Sequence, residues 1–323
     1  MAHQIDTVSR ATASYASTQR EWHGLGQLMA VGASIEDWQK DSGMDYRIQR
    51  SVIRYATERN LSDATAFRTV EDKHVLFRSD TGAALGVVSD SYKVVQPAEV
   101  LEFFREWAEQ GGLTLESAGV LFGGKRYFAT AKLCDAVGID GGNDKVVPYA
   151  LLSTSADGSL ATECRWTTVR TVCNNTLTMA MKDAASYKVS HRSVFKAEDA
   201  KSVVEAANEQ FSAFMTMARS LANIKVERAR AESLTVALLG KATEDAARET
   251  AAFTRIMDLF NGSAKGATFD TANDTAWGWL NAVTEYADHH VRARSDENRK
   301  ASALWGPGDA LKNKALTLAS AGV

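Results

Sequence analysis

Hydrophobic and polar positions follow two different periods along this chain. The first half contains three pairs of apolar runs joined by glycine-containing turns, over residues 73–78 and 84–88, 113–122 and 125–133, and 146–155 and 160–168. Runs of this kind, joined by short turns, are typical of antiparallel β-hairpins. A further strand is predicted over residues 46–56, where Arg47, Arg50 and Arg54 give it a basic edge. The first half should therefore form an antiparallel sheet.

Helical spacing of apolar residues dominates the second half. Two earlier helices are predicted, one capped by Ser34 and one over residues 97–110 that begins at Pro97. The later helices are expected from residue 196 onward and over residues 230–239, 244–260, 273–294 and 309–319. The pattern predicts an α+β fold, in which hairpins backed by helices form a β-β-β-α-like core and a helical C-terminal region follows. We divide the chain into an N-terminal arm (1–33), an α+β core domain (34–195) and the helical region (196–323).

Residues 167–180 join the two halves. Apolar residues recur there at helical spacing, at Val169, Cys173, Leu177 and Ala180. We predict a helix that packs this apolar side on the sheet and leaves Arg170 and Asn174 on the outside. Cys173 is then a packing residue.

Composition limits the class of protein. The 323 residues are 45% hydrophobic and 24% charged, with a net charge of −3, which is ordinary for a globular protein. This balance excludes a globally basic DNA-coating protein but allows a local basic groove. The three cysteines form no CxxC pair, the first residues do not resemble a signal peptide, and no apolar window is long enough to span a membrane. We expect a soluble cytoplasmic protein.

A locally basic stretch is the main candidate for a binding site. Its proposed contact residues are Arg165, Arg170, Asn174, Asn175, Lys182, Lys188, His191, Arg192 and Lys196. Only Asp183, Glu198 and Asp199 add negative charge between residues 165 and 201. Clustered Lys and Arg in a net-acidic chain are what a groove for the phosphate backbone requires. The alternative is a solvated strand and loop without a ligand.

Patterns that would indicate catalysis are weak. Cys173 could act as a nucleophile with His191, and Glu285 and His289 have the spacing of two metal ligands on a helix but lack a third. The Gly123-Gly124-Lys125-Arg126 segment is explained by a hairpin turn, because it lacks other residues of a phosphate-binding loop. No catalytic residue, metal or cofactor is predicted.

Three segments carry a resemblance to a known family. They are Trp22-His23-Gly24-Leu25-Gly26, the stretch from Val169 to Leu177, and the stretch from Trp277 to His289. In this order they resemble the phage- and plasmid-associated proteins grouped as domain of unknown function 932. The resemblance implies a home on phages and plasmids in a bacterial host, and it implies no agreed enzymatic activity.

Hairpins followed by a helix are also similar in architecture to single-strand annealing proteins of the Rad52 and RecT/Redβ kind. That similarity implies rings or filaments that hold DNA in a basic groove. The combined expectation is a cytoplasmic homo-oligomer that binds and anneals single-stranded DNA in homologous recombination without ATP. The alternatives are a structural or regulatory phage protein that acts through protein partners, or a metal- or cysteine-dependent enzyme.

Overall fold

The computed structural model describes residues 13–15, 27–30, 32–57, 67–109, 113–170, 175–177 and 186–321. The described strands are β1 (Ala13–Tyr15), β2 (Gln27–Met29), β3 (Ile48–Ala56), β4 (Phe67–Arg78), β5 (Ala84–Ser89), β6 (Thr114–Leu121), β7 (Arg126–Lys132), β8 (Val137–Gly138), β9 (Lys145–Ser155), β10 (Thr162–Arg170), β11 (Asn175–Leu177) and β12 (Tyr187–Val189). The three predicted hairpins are confirmed as β4–β5, β6–β7 and β9–β10.

Two sheets contain these strands. The larger has the order β11-β10-β9-β7-β6-β1-β2, with β12 on β10 and β8 on β9, and only the β1–β2 pair is parallel among the strands described. The smaller is the antiparallel sheet β3-β4-β5. β1 and β2 come from the segment predicted as an N-terminal arm without strands. Both are only three residues long, too short to show a periodic pattern.

The helices follow the predicted order closely. They are α1 (Ile35–Asp41), α2 (Pro97–Glu109), α3 (Ala197–Asn223), α4 (Arg228–Leu239), α5 (Glu244–Arg248), α6 (Ala251–Asp258), α7 (Ala276–Glu285), α8 (Asp296–Trp305) and α9 (Pro307–Ser320). Single π-helical turns, Leu259–Ser263 and Tyr286–His290, extend α6 and α7. The α+β class and the helical C-terminal region are therefore confirmed.

Helices cover both faces of the large sheet. On one face, the Trp166 ring of β10 lies 6.0 Å from that of Phe214 in α3. On the other face, Leu151 of β9 packs with Leu304 of α8, and Trp305 Nε1 donates a hydrogen bond to Ser153 Oγ at 3.0 Å. All of β9 after its first residue is buried, as expected for a strand covered on both sides.

The sheet and the C-terminal helices share a hydrophobic core. Ile139, Val146 and Trp166 of the sheet region belong to the same buried cluster as side chains of α3, α4, α6, α7 and α9. Every residue of α7 is buried, so this helix lies at the centre of the bundle. The helical region therefore packs directly on the sheet.

The helix predicted over residues 167–180 is wrong for the part of this segment that the structure describes, residues 167–170 and 175–177. Residues 167–170 continue β10, and β11 pairs back on it with Val169 opposite Thr176. Thr167, Thr168 and Val169 are β-branched, which favours a strand, and all three are buried. A strand buried on both faces gives a continuous apolar run that a helical pattern also fits. Cys173 and Ala180, part of the predicted apolar side, lie outside the described residues.

Two further differences concern the helices: one predicted helix is divided, and one observed helix was not predicted. The predicted helix over residues 244–260 is divided, because Thr250 caps α6 by accepting a hydrogen bond from the Phe253 N–H at 3.1 Å. α8 was not predicted. Its N-terminus has Ser295 as cap, followed by Asp296 and Glu297, and this signal is present in the sequence.

Candidate nucleic-acid interface

β12 and the loop that leads to α3 carry three of the predicted basic residues. Lys188 of β12 lies opposite Glu163 of β10, and Arg192 and Lys196 lie between β12 and α3. All three side chains are exposed. Lys188 Nζ is 3.9 Å from Glu163 Oε2, whereas Arg192 and Lys196 form no ion pair with the described part of the chain. We call Lys188, Arg192 and Lys196 the basic edge.

Aromatic packing fixes the loop that holds the basic edge. The Tyr187 and Phe195 rings are 6.0 Å apart, and Phe195 lies 6.2 Å from Phe103 of α2. The Lys196 N–H also donates to Tyr187 Oη at 3.3 Å. Tyr187 and Phe195 are therefore packing residues that hold this loop in place.

His191 is buried, with 8% of its surface exposed. Its ring stacks on Tyr92 at 4.4 Å, with Nε2 lying 2.9 Å from the Leu160 carbonyl oxygen and Nδ1 lying 3.1 Å from that of Lys93. The side chain therefore holds the loop against two neighbouring segments. The buried His191 ring is therefore not exposed for contact with a ligand at the surface.

Arg165 is also largely buried, in the interface between β10 and α9. Its Nε lies 2.9 Å from Glu163 Oε1, and its Nη1 lies 3.4 Å from Asp309 Oδ2. Burial raises the pKa of Asp309, and the Arg165 guanidinium opposes this shift. Arg165 thus joins the sheet to the C-terminal helices. It shares Glu163 with Lys188, but its side chain is largely buried and is not part of the exposed basic edge.

The remaining predicted contact residues lie near residues whose placement is not described. Arg170 ends β10 and pairs in register with Asn175 of β11. Only the backbone of these two residues is described. Asn174 and Lys182 lie outside the described residues.

The structure adds cations that the predicted set did not contain. The His191 carbonyl accepts a hydrogen bond from the Lys93 N–H at 2.5 Å, so exposed Lys93 lies beside the loop of the basic edge. Arg50 of β3 donates through Nη2 to the Tyr92 carbonyl at 2.7 Å. The alternation over residues 46–56 already indicated a basic strand. The link between this strand and His191, which runs through Tyr92, depends on tertiary contacts.

Two of the residues considered for catalysis, His191 and Glu285, have structural partners. His191 packs as described above, and Cys173 lies outside the described residues. Buried Glu285 accepts a hydrogen bond from the Lys265 N–H at 3.2 Å, and its Oε1 is 3.8 Å from His290 Nε2. Within the described ranges, no group of three or more His, Cys, Asp or Glu side chains is arranged to hold a metal ion.

The segment from Trp277 to His289, which carries part of the family resemblance, is mainly structural. Trp277 Nε1 and Thr271 Oγ1 donate to the buried Asp144 carboxylate at 3.0 and 2.6 Å. Asp288 pairs with Lys312 of α9 at 2.8 Å, and both are buried. These polar residues connect α7 to its neighbours within the core.

The chain belongs to the family described as Domain of unknown function (DUF932), whose model matches residues 84–305. This match covers more than half of the chain and confirms the family resemblance. No curated protein and no solved structure matches it. The resemblance to Rad52-type annealing proteins therefore gains no support from these comparisons. Among the described helices, none combines the length and apolar character that crossing a bilayer requires.

Proposed function

We propose that this protein binds single-stranded DNA on a phage or plasmid in a bacterial cytoplasm and promotes annealing of complementary strands without ATP. The observation that carries the proposal is the basic edge, where three exposed cations stand on a segment fixed by aromatic packing. Lys and Arg side chains capture the phosphate backbone by displacing counterions, which leaves the bases free to pair.

The residues that we propose to contact DNA differ from the set predicted from the sequence. Lys188, Arg192 and Lys196 supply the backbone contacts, and Lys93 extends the surface beside them. Arg165 and His191 support the fold around the edge through the contacts given above. Arg170, Asn174, Asn175 and Lys182 stay predicted contact residues.

A binding experiment with matched variants tests the proposal. Fluorescence anisotropy would measure binding of a labelled oligothymidylate by the wild type, by Lys188→Gln/Arg192→Gln/Lys196→Gln and by Lys225→Gln/Arg230→Gln/Lys241→Gln. The control changes three cations of the same kinds, all exposed, in and around α4. We expect the first variant to bind at least about tenfold more weakly at low salt, and the control to bind like the wild type. Equal weakening in both variants would contradict a defined basic edge.

Oligomeric state separates this function from the alternative of a protein that acts through other phage proteins. An annealing protein of the proposed kind should form rings or filaments, visible by electron microscopy with single-stranded DNA. A monomer that does not bind oligonucleotides would favour the protein-partner role.

A further inference from the structure

β3 and β4 extend beyond the rest of their sheet as a two-stranded ribbon. β5 pairs with β4 only from Lys73 to Phe77, whereas the β3–β4 pairing continues to Ala56 opposite Phe67. In residues 53–56 and 67–70, which we call the outer ribbon, no side chain is buried. Two isolated strands are marginally stable in water, so contact with a ligand would stabilise an exposed ribbon of this kind.

A bulge separates the outer ribbon from its base. The register shifts between Val52 and Ile53, and Asp72 on the opposite strand has a φ of 60°, in the left-handed region. Bulges bend a strand and increase its twist, and they are frequent next to binding sites. This irregularity therefore separates the outer ribbon from the segments of β3 and β4 that pair with the rest of the sheet.

Each face of the outer ribbon combines an arginine with an aromatic ring. Tyr55 lies directly opposite Arg68 in the register, so both side chains are on one face. Arg54 and Phe67 are diagonal neighbours on the other face, because Arg54 lies opposite Thr69 and Ala56 lies opposite Phe67. Tyr55 is 52% exposed and Phe67 is 38% exposed, although both are large and apolar.

The charge of the ribbon and its base indicates which kind of ligand they would bind. The described residues 47–57 and 67–73 carry five cations, Arg47, Arg50, Arg54, Arg68 and Lys73, against the two carboxylates of Glu71 and Asp72. The chain as a whole has a net charge of −3. Arg54 and Arg68 form no ion pair with the part of the chain that is described. This asymmetry favours a polyanion, and the exposed rings favour one that offers flat surfaces for stacking.

We infer that the outer ribbon is a second contact site for single-stranded nucleic acid, where Tyr55 and Phe67 stack on bases and Arg54 and Arg68 contact phosphates. This inference rests on the proposed function and extends it to a separate element. The base of the ribbon connects it to the basic edge, since Arg50 bonds the Tyr92 carbonyl and Tyr92 stacks on His191.

Two double variants test the ribbon separately from the basic edge. Tyr55→Ser/Phe67→Ser removes two stacking rings and should weaken binding of oligothymidylate by about 5- to 150-fold for each ring, while leaving its salt dependence unchanged. Arg54→Gln/Arg68→Gln should reduce the slope of log affinity against log salt by about 1.4. Lys225→Gln/Arg230→Gln is the charge control. An iodouracil-substituted oligonucleotide should photocrosslink to Tyr55 or Phe67 in the wild type, as read by mass spectrometry.

The outcomes distinguish the two proposals. If the ribbon variants and the control bind like the wild type while the basic-edge variant binds more weakly, the ribbon inference is overturned and the proposed function stands. If the wild type does not bind oligonucleotides at low salt, both are overturned. If the ribbon variants change only the oligomeric state in light scattering, the ribbon is a contact between copies of this chain and the inference is wrong.

Discussion

Single side chains in this protein have roles that depend on what surrounds them. Arg165 and Lys188 both contact Glu163, yet the Arg165 side chain is 13% exposed and that of Lys188 is 65% exposed. The sequence places both in one basic stretch. Only the packing of α9 on β10, which brings Asp309 to Arg165, separates a structural cation from one that a ligand can reach.

The pair formed by Asp288 and Lys312 gives a test at this scale. Lys312→Met should lower the free energy of unfolding by about 3–5 kcal/mol, because it leaves a buried carboxylate without its ammonium partner. Urea unfolding would measure the change. Asp288→Leu/Lys312→Met removes both charges and should recover most of the stability; a double variant as unstable as the single one would contradict a paired role.

Several secondary-structure elements were predicted from the turn or cap residues at their ends, although the caps Thr250 and Ser295 were missed. Gly123 and Gly124 identified the β6–β7 hairpin, and Ser34 identified the start of α1, where its side chain accepts from the Asp37 N–H at 3.1 Å. The failure over residues 167–180 has a physical cause. Thr167, Thr168 and Val169 at the end of β10 are all buried, so this end of the strand lacks the alternation that identifies a half-buried strand.

Gly278 tests the position of α7. An alanine Cβ at this residue would lie 1.8 Å from the Ala272 carbonyl oxygen, so α7 and the preceding turn would have to separate. Gly→Ala usually stabilises a helix by about 1 kcal/mol. Here we expect Gly278→Ala to reduce the free energy of unfolding by about 1–3 kcal/mol in urea titrations. A variant with unchanged or increased stability would contradict the close approach of Gly278 to the Ala272 carbonyl.

At the scale of the whole molecule, the protein is an α+β structure whose C-terminal helices share a core with the sheet. Composition and periodicity were sufficient to predict this class. They could not show that Lys93 and Arg50 lie beside the His191 loop, because both contacts join segments far apart in the chain. The candidate surface thus combines the basic edge, whose residues were predicted from the sequence, with Lys93 and Arg50, which only the fold brings close to it.

The salt dependence of DNA binding shows whether the basic edge contacts the phosphates of single-stranded DNA. Log affinity for oligothymidylate would be measured against log salt concentration for the wild type and for Lys188→Gln/Arg192→Gln/Lys196→Gln. If the variant no longer neutralises three phosphates, the magnitude of the slope should fall by about 2, with about 0.7 for each phosphate of a single strand. Identical slopes for the two proteins, or no binding by the wild type at low salt, would contradict phosphate binding by Lys188, Arg192 and Lys196.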